Sequence, residues 1–138
     1  MGIFLPICLP HLSCFRSIVV LKGDAVVGLW DVDSMVCTST VTRCNRFIRS
    51  VSFSHDSQIV ATGTEENCVD LAIPETGEFV GKVSFEAVGS RNRGSGGDRN
   101  NTPGADEISF HPKAHILACA RCDSGLHSPM TIMKLKFG

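Results

Sequence analysis

The sequence predicts an all-β chain, a partial β-propeller of about two and a half to three four-stranded blades, and three observations predict it. Short apolar, β-branched runs recur along the chain with turn-forming residues between them. No run of ten or more residues carries a helical period. A strand signature returns after about 42 residues, the separation of Asp24 and Glu66, which is the length of one propeller blade.

Taken in order, residues 1–16 form an atypical apolar amino-terminal segment. No basic stretch precedes its apolar run, and Pro6 and Pro10 interrupt it, so neither a secretory signal nor a membrane span is expected. The repeats are expected over 17–138, with strand-like runs at 18–21, 26–30, 48–53, 59–61, 69–73, 107–110, 116–120 and 131–137. Turns fall at Gly23-Asp24, Ser54-His55-Asp56-Ser57, Glu75-Thr76-Gly77 and His111-Pro112-Lys113.

Two registers fix the repeat. Asp24-x-x-Val27-x-Leu29-Trp30-Asp31 is echoed by Glu66-x-x-Val69-x-Leu71. Val51-Ser52-Phe53-Ser54 is echoed by Ile108-Ser109-Phe110-His111, at a spacing about 15 residues longer than the first. The Gly-, Asn- and Arg-rich stretch at 90–105 accounts for the excess as a flexible insertion between blades. Side chains alternate across a strand, so Val27 shares a face with Leu29, and Val69 with Leu71. These pairs are expected to pack between neighbouring blades, with the Trp30 ring set between sheets.

Composition narrows the function. Apolar residues make up 43% of the 138, charged residues 20%, and the net charge is −1, so the chain lacks the basic footprint of a nucleic-acid binder. Arg91, Arg93 and Arg99 form the one basic cluster. No aromatic side chain interleaves with them to stack bases, and RNA contact is expected to be at most indirect or through this loop. Seven cysteines at irregular spacing do not form a disulfide framework and fit a reducing compartment.

Gly23, Asp24, Val27, Leu29, Trp30 and Asp31 together resemble the third strand of a WD repeat, and residues 48–66 resemble the first two strands of the next. Ser54-His55-Asp56-Ser57 stands where that family usually has Ser-Pro-Asp-Gly. Finer details resemble the carboxy-terminal blades of the THO complex subunit 3 family: Ser52-Phe53-Ser54-His55-Asp56, Val69-Asp70-Leu71-Ala72 with Glu75-Thr76-Gly77-Glu78, and Phe110-His111-Pro112-Lys113 before Ile116-Leu117-Ala118. The chain departs from the WD pattern at Ala72-Ile73, which replaces Trp-Asp, and at 43–47, which lacks the usual opening histidine. The resemblance implies a non-catalytic scaffold in a THO/TREX-like complex, in nuclear mRNA processing and export. Other subunits would be its partners, without cofactor, membrane or small-molecule substrate. Its structural signature residues are Asp24, Val27, Leu29, Trp30, Asp31, Phe53, Glu66, Val69, Leu71 and Phe110.

Two other readings compete. A generic WD-repeat adaptor of a ubiquitin ligase or chromatin complex would carry the same signatures, because repeats report the blade rather than the partner. A small zinc or redox protein would use Cys119 and Cys122, with His115 and His127 near in sequence. Cys119, however, lies inside an apolar strand-like run with no βαβ pattern around it. Ser54-His55-Asp56 holds the residue types of a hydrolytic triad, but sequence adjacency is not triad geometry. Gly94-Ser95-Gly96-Gly97 lacks the lysine and helix of a phosphate loop. No catalytic, cofactor or metal residue is expected.

Overall fold

A computed structural model describes residues 3–5, 17–22, 25–42, 46–66, 68–84, 104–121 and 130–136. Every regular element among them is a β-strand. The first sheet is β1 (Ile3–Leu5), β2 (Ser17–Lys22), β3 (Val26–Asp31) and β4 (Val36–Val41). The second is β5 (Ile48–Phe53), β6 (Val60–Thr64), β7 (Cys68–Ala72) and β8 (Phe79–Ser84). The third is β9 (Glu107–Phe110), β10 (Ile116–Ala120) and β11 (Met130–Lys134). Each is an antiparallel meander in chain order, giving, among the described residues, two four-stranded blades and one of three strands.

The apolar alternation along each strand explains how the sheets stack. Val27, Leu29 and Val41 of the first sheet bury against Val51, Phe53, Val60 and Ala72 of the second. The other face of the second sheet supplies Ile59, Ala61, Val69 and Leu71, which meet Ile108, Phe110, Leu117 and Cys119 of the third. Neighbouring residues of one strand, such as Val60 and Ala61, therefore serve different cores. β6 and β7 are buried at every position because both their faces are covered.

Three strands carry no clear run in the sequence. β4 and β8 are the last strands of their blades, and much of their length faces solvent. Their polar residues, as in Val36-Cys37-Thr38-Ser39-Thr40-Val41, obscure the apolar pattern that marks an inner strand. β1 lies within residues 1–16, the segment expected to stand apart from the repeats. Its Ile3, Phe4 and Leu5 pair with Leu21, Val20 and Val19, so this segment supplies the first strand of a blade. Gly104 and Ala105 close the stretch expected as a flexible insertion. Ala105 is nonetheless fully buried, and its N–H donates to the Thr64 carbonyl at 2.8 Å.

The repeat is visible in the strand irregularities. A bulge falls between Leu29 and Trp30 where β3 pairs β4, and another between Leu71 and Ala72 where β7 pairs β8. These are equivalent points of the two full blades. Turn contacts also join the first two blades. Gly77 has φ 73°, and a Cβ there would stand 2.6 Å from the Thr40 carbonyl, so glycine is required on two counts. Nearby, the Ser39 hydroxyl donates to the Pro74 carbonyl at 2.6 Å.

Candidate functional site

The strands of the second and third blades end on one rim in two equivalent turns. In the β5–β6 turn the Ser54 N–H donates to the Ile59 carbonyl. In the β9–β10 turn the His111 N–H donates to the Ile116 carbonyl. The first turn is organised around Asp56. Its Oδ1 accepts from the Ser54 hydroxyl at 2.6 Å and from the Gln58 N–H at 3.3 Å. The Ser54 oxygen in turn accepts from the Ile59 N–H at 3.0 Å.

Asp56 Oδ2 faces the next blade, where the His115 Nε2–H donates to it at 2.9 Å. The His55 ring lies beside the His115 ring, with centroids 4.6 Å apart and planes inclined by 52°. Partial burial pushes the Asp56 pKa up. The hydrogen bonds from Ser54, the Gln58 N–H and His115 outweigh it, so the carboxyl sits below its ordinary value of 3.8. At neutral pH this rim therefore carries a fixed carboxylate flanked by two imidazoles. At the far end of the same two blades, Arg49 bonds Glu65 at 2.6 Å and approaches Asp106 at 3.9 Å.

A second feature is the outer face of the third blade. Leu117 and Cys119 turn inward, so Ile116, Ala118 and Ala120 lie on the other side of β10. Ala118 and Ala120 pair with Ile132 and Met130 of β11, which are 64% and 67% exposed. An apolar strip along two paired strands is thus open to solvent, on the side away from the core.

The structure places the signature residues as follows. Val27, Leu29 and Phe53 sit in the core between the first and second blades, and Val69, Leu71 and Phe110 in the core between the second and third. Trp30 is half-buried, and its ring folds back over Gly28, where a Cβ would come within 2.9 Å of the indole Nε1. Asp31 caps the β3–β4 hairpin, its Oδ1 accepting from the Asp33 and Ser34 N–H groups and the Ser34 hydroxyl. The Glu66 carboxylate accepts from Lys82 Nζ at 3.2 Å. That bond, with weaker help from Cys68 and Arg46, keeps its pKa low against burial. Asp24 lies outside the described residues.

Among the residues considered for metal or redox chemistry, Cys119 is wholly buried in the second core. Burial pushes its thiol up to about 11, which leaves it protonated and a poor ligand or nucleophile. Cys122, His127, the Gly94–Gly97 stretch and the arginines 91, 93 and 99 lie outside the described residues. The contact of His115 with Asp56 spans 59 residues, and no local motif marks it. The available signal was the repeat itself: the registers of Ser52-Phe53-Ser54 and Ser109-Phe110-His111 put both turns at the same end of adjacent blades.

No family model matches the chain. It is 26% identical over 108 residues to THO complex subunit 3 of Arabidopsis thaliana, a match covering 78% of this chain and 29% of that protein. In structure it is similar to the carboxy-terminal WD40 domain of Sif2, with a TM-score of 0.63 at 12% identity. That likeness covers 89% of this chain and 32% of the Sif2 chain. The chain thus spans about a third or less of each.

Proposed function

We propose that this chain, which folds as a stretch of β-propeller similar to a WD40 domain, is a non-catalytic scaffold that works by holding other proteins together. The observation that carries this reading is the open apolar strip of Ile116, Ala118, Ala120, Met130 and Ile132 on the outer face of the third blade. A surface of this kind gains free energy by being covered, and its large side chains are suitable anchors. Similarity to THO complex subunit 3 supports a THO-like complex as the setting, with nuclear mRNA processing and export as its task. Its partners are then other subunits of that complex, and RNA contact is secondary. A WD-repeat adaptor of a ubiquitin ligase or chromatin complex is the second reading, supported by the fold, because repeats report the blade rather than the partner.

Affinity purification of the tagged chain from nuclear extract separates the two readings. The expected result is recovery of THO subunits, reduced roughly tenfold when Met130 and Ile132 are both replaced by Lys. Recovery of ubiquitin-ligase or chromatin subunits without THO subunits would favour the adaptor. Recovery unchanged by the double substitution would remove the apolar strip from the explanation.

A further inference from the structure

We propose that His55, Asp56 and His115 form a binding site for a divalent transition-metal ion of the zinc type, clamping the second blade to the third. Each residue offers one ligand atom, and the three atoms lie within 4.8 Å of one another. Ligands of a tetrahedral zinc ion lie about 2.0–2.2 Å from the metal, and hence roughly 3.3 Å apart. Small side-chain rotations of two half-buried imidazoles close that gap, and a metal ion replaces the proton shared by His115 Nε2 and Asp56 Oδ2.

Three features favour this over a simple hydrogen bond. Asp56 is already oriented: Ser54 and the Gln58 N–H hold Oδ1, leaving Oδ2 to face the next blade. Such bonds to the far oxygen fix a ligating carboxylate and commonly change metal affinity by about 10–100-fold. Two imidazoles beside one carboxylate suit zinc, copper, nickel or iron rather than calcium or magnesium, which favour all-oxygen sites. Finally, His55 has its ring against His115 yet belongs to the other blade. Metal binding would therefore tie two turns together at the rim of blades that already share a buried core. Three protein ligands leave one position for water or for a side chain of a bound protein.

The full chain, freed of metal, is titrated with zinc chloride by calorimetry and with cobalt(II) by absorption spectroscopy. The expected outcome is one equivalent bound, a higher thermal midpoint with zinc, and a cobalt spectrum with no thiolate charge-transfer band. His55→Gln and His115→Gln should each weaken zinc binding by roughly tenfold or more. His55→Gln leaves the His115–Asp56 bond intact, so its folded state, checked by circular dichroism, is retained. Absence of binding, a thiolate band, or full affinity in the folded His55→Gln variant would overturn the assignment.

Discussion

Ser57 closes the β5–β6 turn with φ 66°, a left-handed conformation in which its Cβ is crowded. The WD pattern that the turn resembles has glycine there. An L-residue in this region costs about 1–2 kcal/mol, and glycine's greater freedom in the unfolded chain returns about 0.5–1 kcal/mol of that. Ser57→Gly should therefore stabilise the chain by about 0.5–1 kcal/mol, seen as a thermal midpoint raised by about 2–6 °C in circular dichroism. A midpoint unchanged or lowered would mean that the serine hydroxyl contributes more than the turn conformation suggests.

Asp56, next door, carries a pH signature. Its folded pKa lies below the ordinary 3.8, so the folded state binds this proton less readily than the unfolded chain does. The stability it supplies is complete above the unfolded value and is lost as pH falls through the lowered one. The stability gap between the native chain and Asp56→Asn should thus be present above 3.8 and shrink as pH falls below it. Urea denaturation at stepped pH measures it, and a gap that widened in acid would contradict the assignment of Asp56 as the charged partner.

At the scale of elements, inner and outer strands differ in how they are read from sequence. β3, β5, β7 and β10 are legible because apolar residues recur at every second position, where they face a stacked neighbour. β4 and β8 are not, since solvent along their exposed positions accepts threonine, serine and lysine as readily as valine. β1 was hidden for a different reason, being a three-residue strand set among prolines in a run apolar throughout. Leu29 is fully buried between the first two blades, while Val80 on β8 is 40% exposed. Leu29→Ala should cost about 2–5 kcal/mol, through lost burial and a cavity, and Val80→Ala well under about 1 kcal/mol. Chemical denaturation of the two variants tests the order. Comparable losses would mean that the inter-blade core is not what holds the sheets together.

At the scale of the whole molecule, the architecture was readable because a repeat multiplies weak local signals, and one period links distant strands. The candidate site was readable only by half. The Ser54-His55-Asp56 turn stands out in sequence, but its completion by His115 depends on how two blades are rotated against each other. That rotation is set by packing, notably by the Phe110 N–H donating to the Ser52 hydroxyl at 2.9 Å between adjacent first strands. Local residue types do not encode it. The lone CxxC, by contrast, is conspicuous in sequence, yet its first cysteine serves as core filling.

The second blade has a neighbour on each side, whereas the first and third present one covered face each among the described residues. Either flanking sheet can peel away while the other keeps its seat, but the middle one cannot loosen without stripping both contacts at once. Fraying consequently starts at the outside and travels inward, and β6 and β7 are the last strands to let go.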